Sequence, residues 1–330
     1  MPTTETHGRD LRELPKAELH LHLLGAMRAT TLAELSAEGG FPALDPRAFT
    51  TFAEFQLVFP AVFRAQQHRD HLRRLVREVV EDAALDGVVW VQPHFDPHIY
   101  SAFGSPEEVM EMVLDEGRST AALHGIGFGL TIGAMRHLGP ETAEHRARFA
   151  ARYADSGVRA LGLTGDELAF PPDLYAAAFA IARDAGLTAA PHAGELSGPQ
   201  SVRDAVDVLG ATRIAHGVRA IEDPLLLELL AERGVSLDVC LTSNDLLGVV
   251  AMEDHPLPRL LAAGVRCTLG ADDPLMFGVG LLDEYRIARD RLGLADEQFT
   301  AVARTSIETS GAPADRVAAW SARVDDWIAA

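Results

Sequence analysis

Two histidines, His20 and His22, stand one residue apart in the run ELHLHLLGA, which otherwise has the composition of a protein interior. Side chains two apart on a strand point to the same face, so both imidazoles look into one space. Burying them without partners costs on the order of 2 kcal/mol or more each, and one shared metal ion removes that cost. Singly, each histidine reads first as a satisfied core residue; together they read as half of a metal site. Groups of matching chemistry recur in three later segments: His192 and Glu195 in HAGE, His216 in RIAHG, and Asp272 with Asp273 in ADDP. His192 and Asp272 complete an N/O donor set suited to one Zn2+ per chain, with a position left for water. Glu195, three residues past His192, falls off that strand face and beside the ion, where a proton carrier is needed; an isolated HAGE would be a helix N-terminal acid favoured by the dipole. Adjacent carboxylates cannot share a strand face, so Asp272 is expected on the metal and Asp273 towards substrate or water, against the plainer reading of a DDP turn cap.

These groups need a scaffold that brings distant segments to one end. Eight β-type runs alternate with helix-type patterns, beginning near Ala17, Gly87, Gly125, Gly157, Gly186, Arg213, Val235 and Val265. Several follow helices that stop at glycine, as in ARDAG, AERG and LAAG. The order predicts an α/β fold, a (β/α)8 TIM barrel in a single domain over 1–330. In such a barrel the reactive residues lie at the C-terminal strand ends, which is where the histidines and acids fall. Residues 41–86 read as several inserted helices, a lid-like insertion after the first strand. Phe55, Phe59 and Phe63 within it have helical spacing, and such a stripe reads first as core packing. YRIARDRLGL, DEQFTAVARTSI and PADRVAAWSARVDDWI read as closing helices at the C-terminus.

Of the 330 residues 48% are hydrophobic, and the formal net charge is -19. That charge argues against nucleic acid or an anionic membrane surface as partner. No apolar run is long enough to span a bilayer and the first residues hold no signal core, so a cytoplasmic protein is expected. Cys240 and Cys267, each in an apolar β-like run, read as reduced buried thiols. GIGFG lacks the G-x-G-x-x-G order, and neither a Walker loop, a G-x-S-x-G elbow nor the H-x-E and P-C-x-x-C pair of cytidine-type deaminases occurs.

PKAELHLHLLGA, LTGDE, PHAGE, RIAHG, CLTSN and ADDPLMFG run in this order from Pro15 to Gly278. Together they resemble the adenosine deaminase-like zinc aminohydrolases. The resemblance implies a metal site of His20, His22, His192 and Asp272, catalytic roles for Glu195, His216 and Asp273, and purine contacts from Gly165 and Asp273. It implies hydrolytic removal of the 6-amino group from an adenosine-type compound, with small aminopurine and water as partners. The chain departs from the family at Leu24, where an acid usually contacts the sugar side of the substrate. It departs also at Gly162, an acidic position, at His94, an arginine, and at Leu241, a proline. These positions bear on the substrate rather than on the reaction, and open the alternatives of adenine, an N6-substituted adenine or aminodeoxyfutalosine. Asp96 and His98 read as solvated loop residues, with a contact at the barrel mouth as the second reading. An inactive binding protein would have lost one of the metal or acid residues, and none is missing. A two-metal amidohydrolase for lactones or phosphoesters would offer a bridging lysine at the end of the fourth strand, where LTGDE has none.

Overall fold

The computed structural model describes residues 8–330; the reading of the first residues, MPTTETHGRDLREL, as free of a signal core falls in part outside them. Among the described residues, ten short parallel strands make eight staves of a (β/α)8 barrel. They are β1 (Lys16–Glu18), β2 (Val88–Val91), β3 (His94–Phe95), β4 (Gly127–Phe128), β5 (Leu130–Met135), β6 (Val158–Thr164), β7 (Thr188–Ala193), β8 (Arg213–His216), β9 (Ser236–Val239) and β10 (Arg266–Leu269). β2 and β3 are two pieces of one stave, interrupted at Pro93, which has no N–H for the ladder. β4 and β5 likewise form one stave, interrupted at Gly129.

Regular ladders join β1, β2 and β4 in one sheet and β3 with β5 to β10 in another. Isolated parallel bridges, Leu21 with Asp272 and His22 with His94, carry the seams between them. His22 N–H donates to the Asp272 carbonyl at 2.8 Å, and Asp272 N–H to the His20 carbonyl at 2.9 Å. The seam is irregular where the proposed ligands sit, because Asp272 leaves strand geometry at φ 58°.

Strand side chains are almost wholly buried, as a parallel sheet covered by helices requires. The helices stop as their sequences suggest: AERG ends at Gly234 in the left-handed region, φ 65°. The insertion after the first stave comprises α1 (Ala29–Glu38), α2 (Phe52–Ala65) and α3 (Arg69–Leu85), and the chain closes with helices Leu281–Leu292, Asp296–Glu308 and Ala314–Ala329. Cys240 and Cys267 are buried and unpaired. Among the described residues no helix is long and apolar enough to cross a membrane.

Candidate active site

His20 and His22 follow β1, His192 lies in β7 and Asp272 follows β10, and their side chains converge at the C-terminal mouth. His20 Nε2 lies 3.2 Å from His192 Nε2 and 3.4 Å from Asp272 Oδ1. His22 Nε2 lies 3.3 Å from His192 Nε2 and 3.2 Å from the same Asp272 oxygen. Ligand atoms set tetrahedrally about an ion at about 2.0–2.1 Å stand about 3.3 Å apart, and each atom of the set has that spacing to two of the others. His20 Nδ1 is 3.1 Å from the Asp238 carbonyl, which accepts only, so Nδ1 holds the ring proton and Nε2 turns a lone pair inward. Inward-facing lone pairs at this distance repel one another, and a cation among them relieves the repulsion. Ser243 Oγ donates to Asp272 Oδ2 at 2.7 Å and orients the carboxylate. Asp238 is held by Arg213, 2.9 Å away, and by Thr268 Oγ1 at 2.9 Å.

Beside this set stand the other three groups expected from the sequence. His216 ends β8, with Nε2 3.5 Å from Glu195 Oε2 and 3.9 Å from Asp272 Oδ2. His216 (φ 62°) and Asp272 (φ 58°) both have left-handed backbone, a conformation that costs a non-glycine residue about 1–3 kcal/mol. Both strained positions fall in the site. Burial, then the charges of Asp272 and Glu167, push the Glu195 carboxyl well above the usual carboxylate range. The neighbouring aspartates diverge: burial opposes ionisation of both, but contact with His20 and His22 holds Asp272 well below the usual range. Asp273 is pushed well above it by burial and by the Asp272 charge. Asp273 Oδ1 is buried without a hydrogen-bond partner, and it occupies the space of a side chain at Gly25, where a Cβ would lie 1.6 Å away.

A cavity of about 620 Å3 opens over these groups, and Leu24 and Gly165 line it as well. Phe55, Phe59 and Phe63 form part of its wall. The reading of that stripe as core packing accounts for half of the arrangement: Phe55 does stack on Phe277, centroids 5.3 Å apart, but α2 also lies across the mouth, so the same face borders the cavity. Asp96 and His98 correct the expectation of solvated loop residues. Asp96 is buried, its Oδ2 2.9 Å from Arg146 Nε and its Oδ1 2.9 Å from His98 Nδ1. Arg146, on the helix Pro140–Ala151, neutralises the acid and makes its burial tolerable.

Two of the departures from the family pattern are spatially coupled. A Cβ at Gly162 would meet the His94 imidazole at 2.9 Å, so the ring at 94 occupies the room that a side chain at 162 would need. Leu241 also uses what it has gained over proline, since its N–H donates to Glu284 Oε2 at 2.9 Å.

The turn after β7 is gripped by two charged residues that the sequence reading passed over. Arg136 is fully buried and donates from Nη2 to the His192 carbonyl at 2.6 Å, and from Nη1 to the Phe170 carbonyl. Glu167 accepts from Glu195 N–H at 3.1 Å, Gly194 N–H at 3.0 Å and Ser201 Oγ at 3.0 Å. Glu167 closes LTGDE and Ser243 lies in CLTSN, so the motifs contained both residues without assigning them a task.

Comparison with known proteins places this architecture. The family model described as adenosine deaminase matches residues 15–327. Similar proteins include one from Streptomyces coelicolor, provisionally named an adenosine/adenine deaminase, 43% identical over 98% of this chain and 99% of that one. The aminodeoxyfutalosine deaminase of Acidothermus cellulolyticus is 36% identical over 85% and 83%. The crystal structure of adenine deaminase from Arthrobacter aurescens is similar with a TM-score of 0.87 and 27% identity, covering 96% of this chain and 99% of that one. The chain belongs to the adenosine deaminase family and is a metal-dependent aminohydrolase.

Proposed function

We propose that the protein is a zinc-dependent hydrolase that replaces the 6-amino group of an adenosine-type purine with oxygen and releases ammonia. One juxtaposition carries this reading: four proposed ligand atoms, each 3.2–3.4 Å from two of the others, stand beside a buried carboxyl, Glu195, that favours its acid form. Zinc held by His20, His22, His192 and Asp272 would lower the pKa of water to about 7 and make hydroxide available at neutral pH. Glu195 protonates purine N1, which draws electrons from C6 and opens it to attack. Asp273, with Oδ1 free and its acid form favoured, donates to N7 and seats the ring, and Gly165 lets the ring approach the backbone. His216 faces the attacking oxygen and orients it, takes up its proton or stabilises its charge. The new C6–O bond forms, the C6–N6 bond breaks, the amine leaves as ammonia, and a 6-oxopurine remains. A cytoplasmic location belongs to the same reading, with both thiols buried and unpaired.

A second reading keeps the chemistry and changes the substrate to adenine, an N6-substituted adenine or aminodeoxyfutalosine. Leu24 favours it, because an apolar side chain lines the cavity where the family pattern has an acid, and leucine accepts no hydrogen bond from a sugar hydroxyl. The similar proteins carry the names of adenine and aminodeoxyfutalosine deaminases as well as adenosine deaminases. Metal-replete enzyme offered adenosine, deoxyadenosine, adenine, N6-methyladenine and aminodeoxyfutalosine tests both readings. Loss of the adenine absorbance band with stoichiometric release of ammonia, or of methylamine from N6-methyladenine, is expected for at least one compound. Turnover of none of them would refute the purine assignment.

A further inference from the structure

We infer that His216 presents a protonated Nε2 to the reacting centre and acts there as a hydrogen-bond donor, and that His255 and Asn244 are the positioning residues that fix this tautomer. The inference deepens the proposed deaminase reading and selects among the roles left open for His216.

One main-chain group beside His255 has an unambiguous role. Leu257 N–H lies 3.3 Å from His255 Nδ1, and a peptide N–H only donates, so Nδ1 is bare. A neutral imidazole with a bare Nδ1 carries its proton on Nε2. That proton faces Asn244 Oδ1, 3.3 Å away, which assigns the oxygen end of the amide to His255. The amide's other end is therefore NH2, and Asn244 Nδ2 lies 3.2 Å from His216 Nδ1. An N–H aimed at that nitrogen requires a lone pair on it, which moves the His216 proton to Nε2. Nε2 is the nitrogen directed at Glu195 and Asp272. His255, Asn244 and His216 are all buried, so bulk solvent does not interrupt the chain.

A nitrogen that already holds a hydrogen cannot remove the proton of water. His216 is then the group that donates to the attacking oxygen as charge develops, and the water's proton passes to Glu195, which is a carboxylate once it has given its own proton to purine N1. Neither His255 nor Asn244 has to touch the substrate for this to hold; both act through the ring of His216.

The tautomer is read directly by long-range 1H–15N correlation on protein labelled with 15N-histidine, with the His216 signals identified by their loss in H216Q. The bare nitrogen is expected at Nδ1 of wild-type His216, in metal-free and metal-loaded protein alike; a proton on Nδ1 would overturn the inference without recourse to any variant. H255L, which removes the donor to Asn244, is expected to yield a mixture of tautomers and a kcat lowered about tenfold, with KM within about threefold. H255Q, which keeps an N–H for Asn244, is expected to restore both. A fall in kcat with the tautomer unmoved, or a shifted tautomer with kcat unmoved, would each overturn it. Should the wild-type enzyme turn over no purine in the panel, the function reading fails, and the His216 tautomer still decides this one.

Discussion

The ring proton of His20 is tied to the Asp238 carbonyl and Oδ2 of Asp272 to Ser243, so two of the four proposed ligands have their orientation set by a neighbour outside the proposed set. Partners of this kind make metal sites tight, and losing one costs about 10–100-fold in affinity. S243A should therefore hold zinc at least about tenfold more weakly in competition with a chelator; an unchanged affinity would show that the hydroxyl does not orient Asp272. Leu24 works in the opposite sense, through what it lacks. A single neutral hydrogen bond is worth about 1–1.5 kcal/mol, close to a factor of ten. L24D should raise kcat/KM for plain adenosine about tenfold and leave adenine little changed. Equal values for the folded, metallated variant and the wild type would mean that this side chain does not read the sugar.

Among the elements, β7 and the turn after it matter most, because they carry a proposed ligand and the proposed acid within four residues. Arg136 holds the His192 carbonyl, and Glu167 holds the N–H groups of Gly194 and Glu195. Opposite charges thus secure the carbonyl side and the amide side of one short segment. Glutamine at 167 keeps one acceptor oxygen but turns an NH2 group towards a backbone N–H. Small displacements of a reacting group cost about 10²-fold in rate. E167Q should lower kcat by about that factor while zinc content stays stoichiometric, as followed by steady-state kinetics alongside elemental analysis. Loss of metal in proportion to activity would assign Glu167 to the metal site instead of to Glu195. On the other side of the cavity, α2 lays its aromatic face across the mouth, joining the insertion to the wall of the substrate space.

For the molecule as a whole, the foot of the barrel holds a charge that is costly to bury. Lys16 is the one lysine in the chain and is fully buried, its Nζ donating to the carbonyls of Leu11 at 2.9 Å and Leu14 at 3.2 Å. Burial lowers its pKa from 10.5 to about 7, with the charge of Asp86 opposing the fall. Between these two values the unfolded chain keeps a proton that the folded one has released. The unfolded state then binds more protons, so this group makes stability rise with pH across that window, by up to about 1.4 kcal/mol per pH unit. Below pH 7 both states are protonated and the contribution is flat at its least favourable value. Urea denaturation of wild type and K16M from pH 6 to 10 should show the wild type gaining on the variant between about 7 and 10. A constant difference would place the folded-state pKa near its ordinary value.

Residue types and their local spacing already singled out the proposed donor set, the strand ends that carry it and the eightfold alternation of strand and helix, because a side chain's chemistry is a local property. Alternation already pointed His20 and His22 into one space, although the regular strand stops at Glu18 and both follow it, and the adjacency of Asp272 and Asp273 already implied two different roles. The tertiary structure decided which groups meet. His20 and His192 are 172 residues apart in the chain, and no local pattern sets the distance between them. The same holds for Arg146 burying Asp96, for the His94 ring filling the space at Gly162, and for the bonds running from Leu257 to His216. Each depends on a partner brought from another element, and a hydrogen bond or a steric contact exists only within a few ångströms, a range that packing sets and sequence proximity does not.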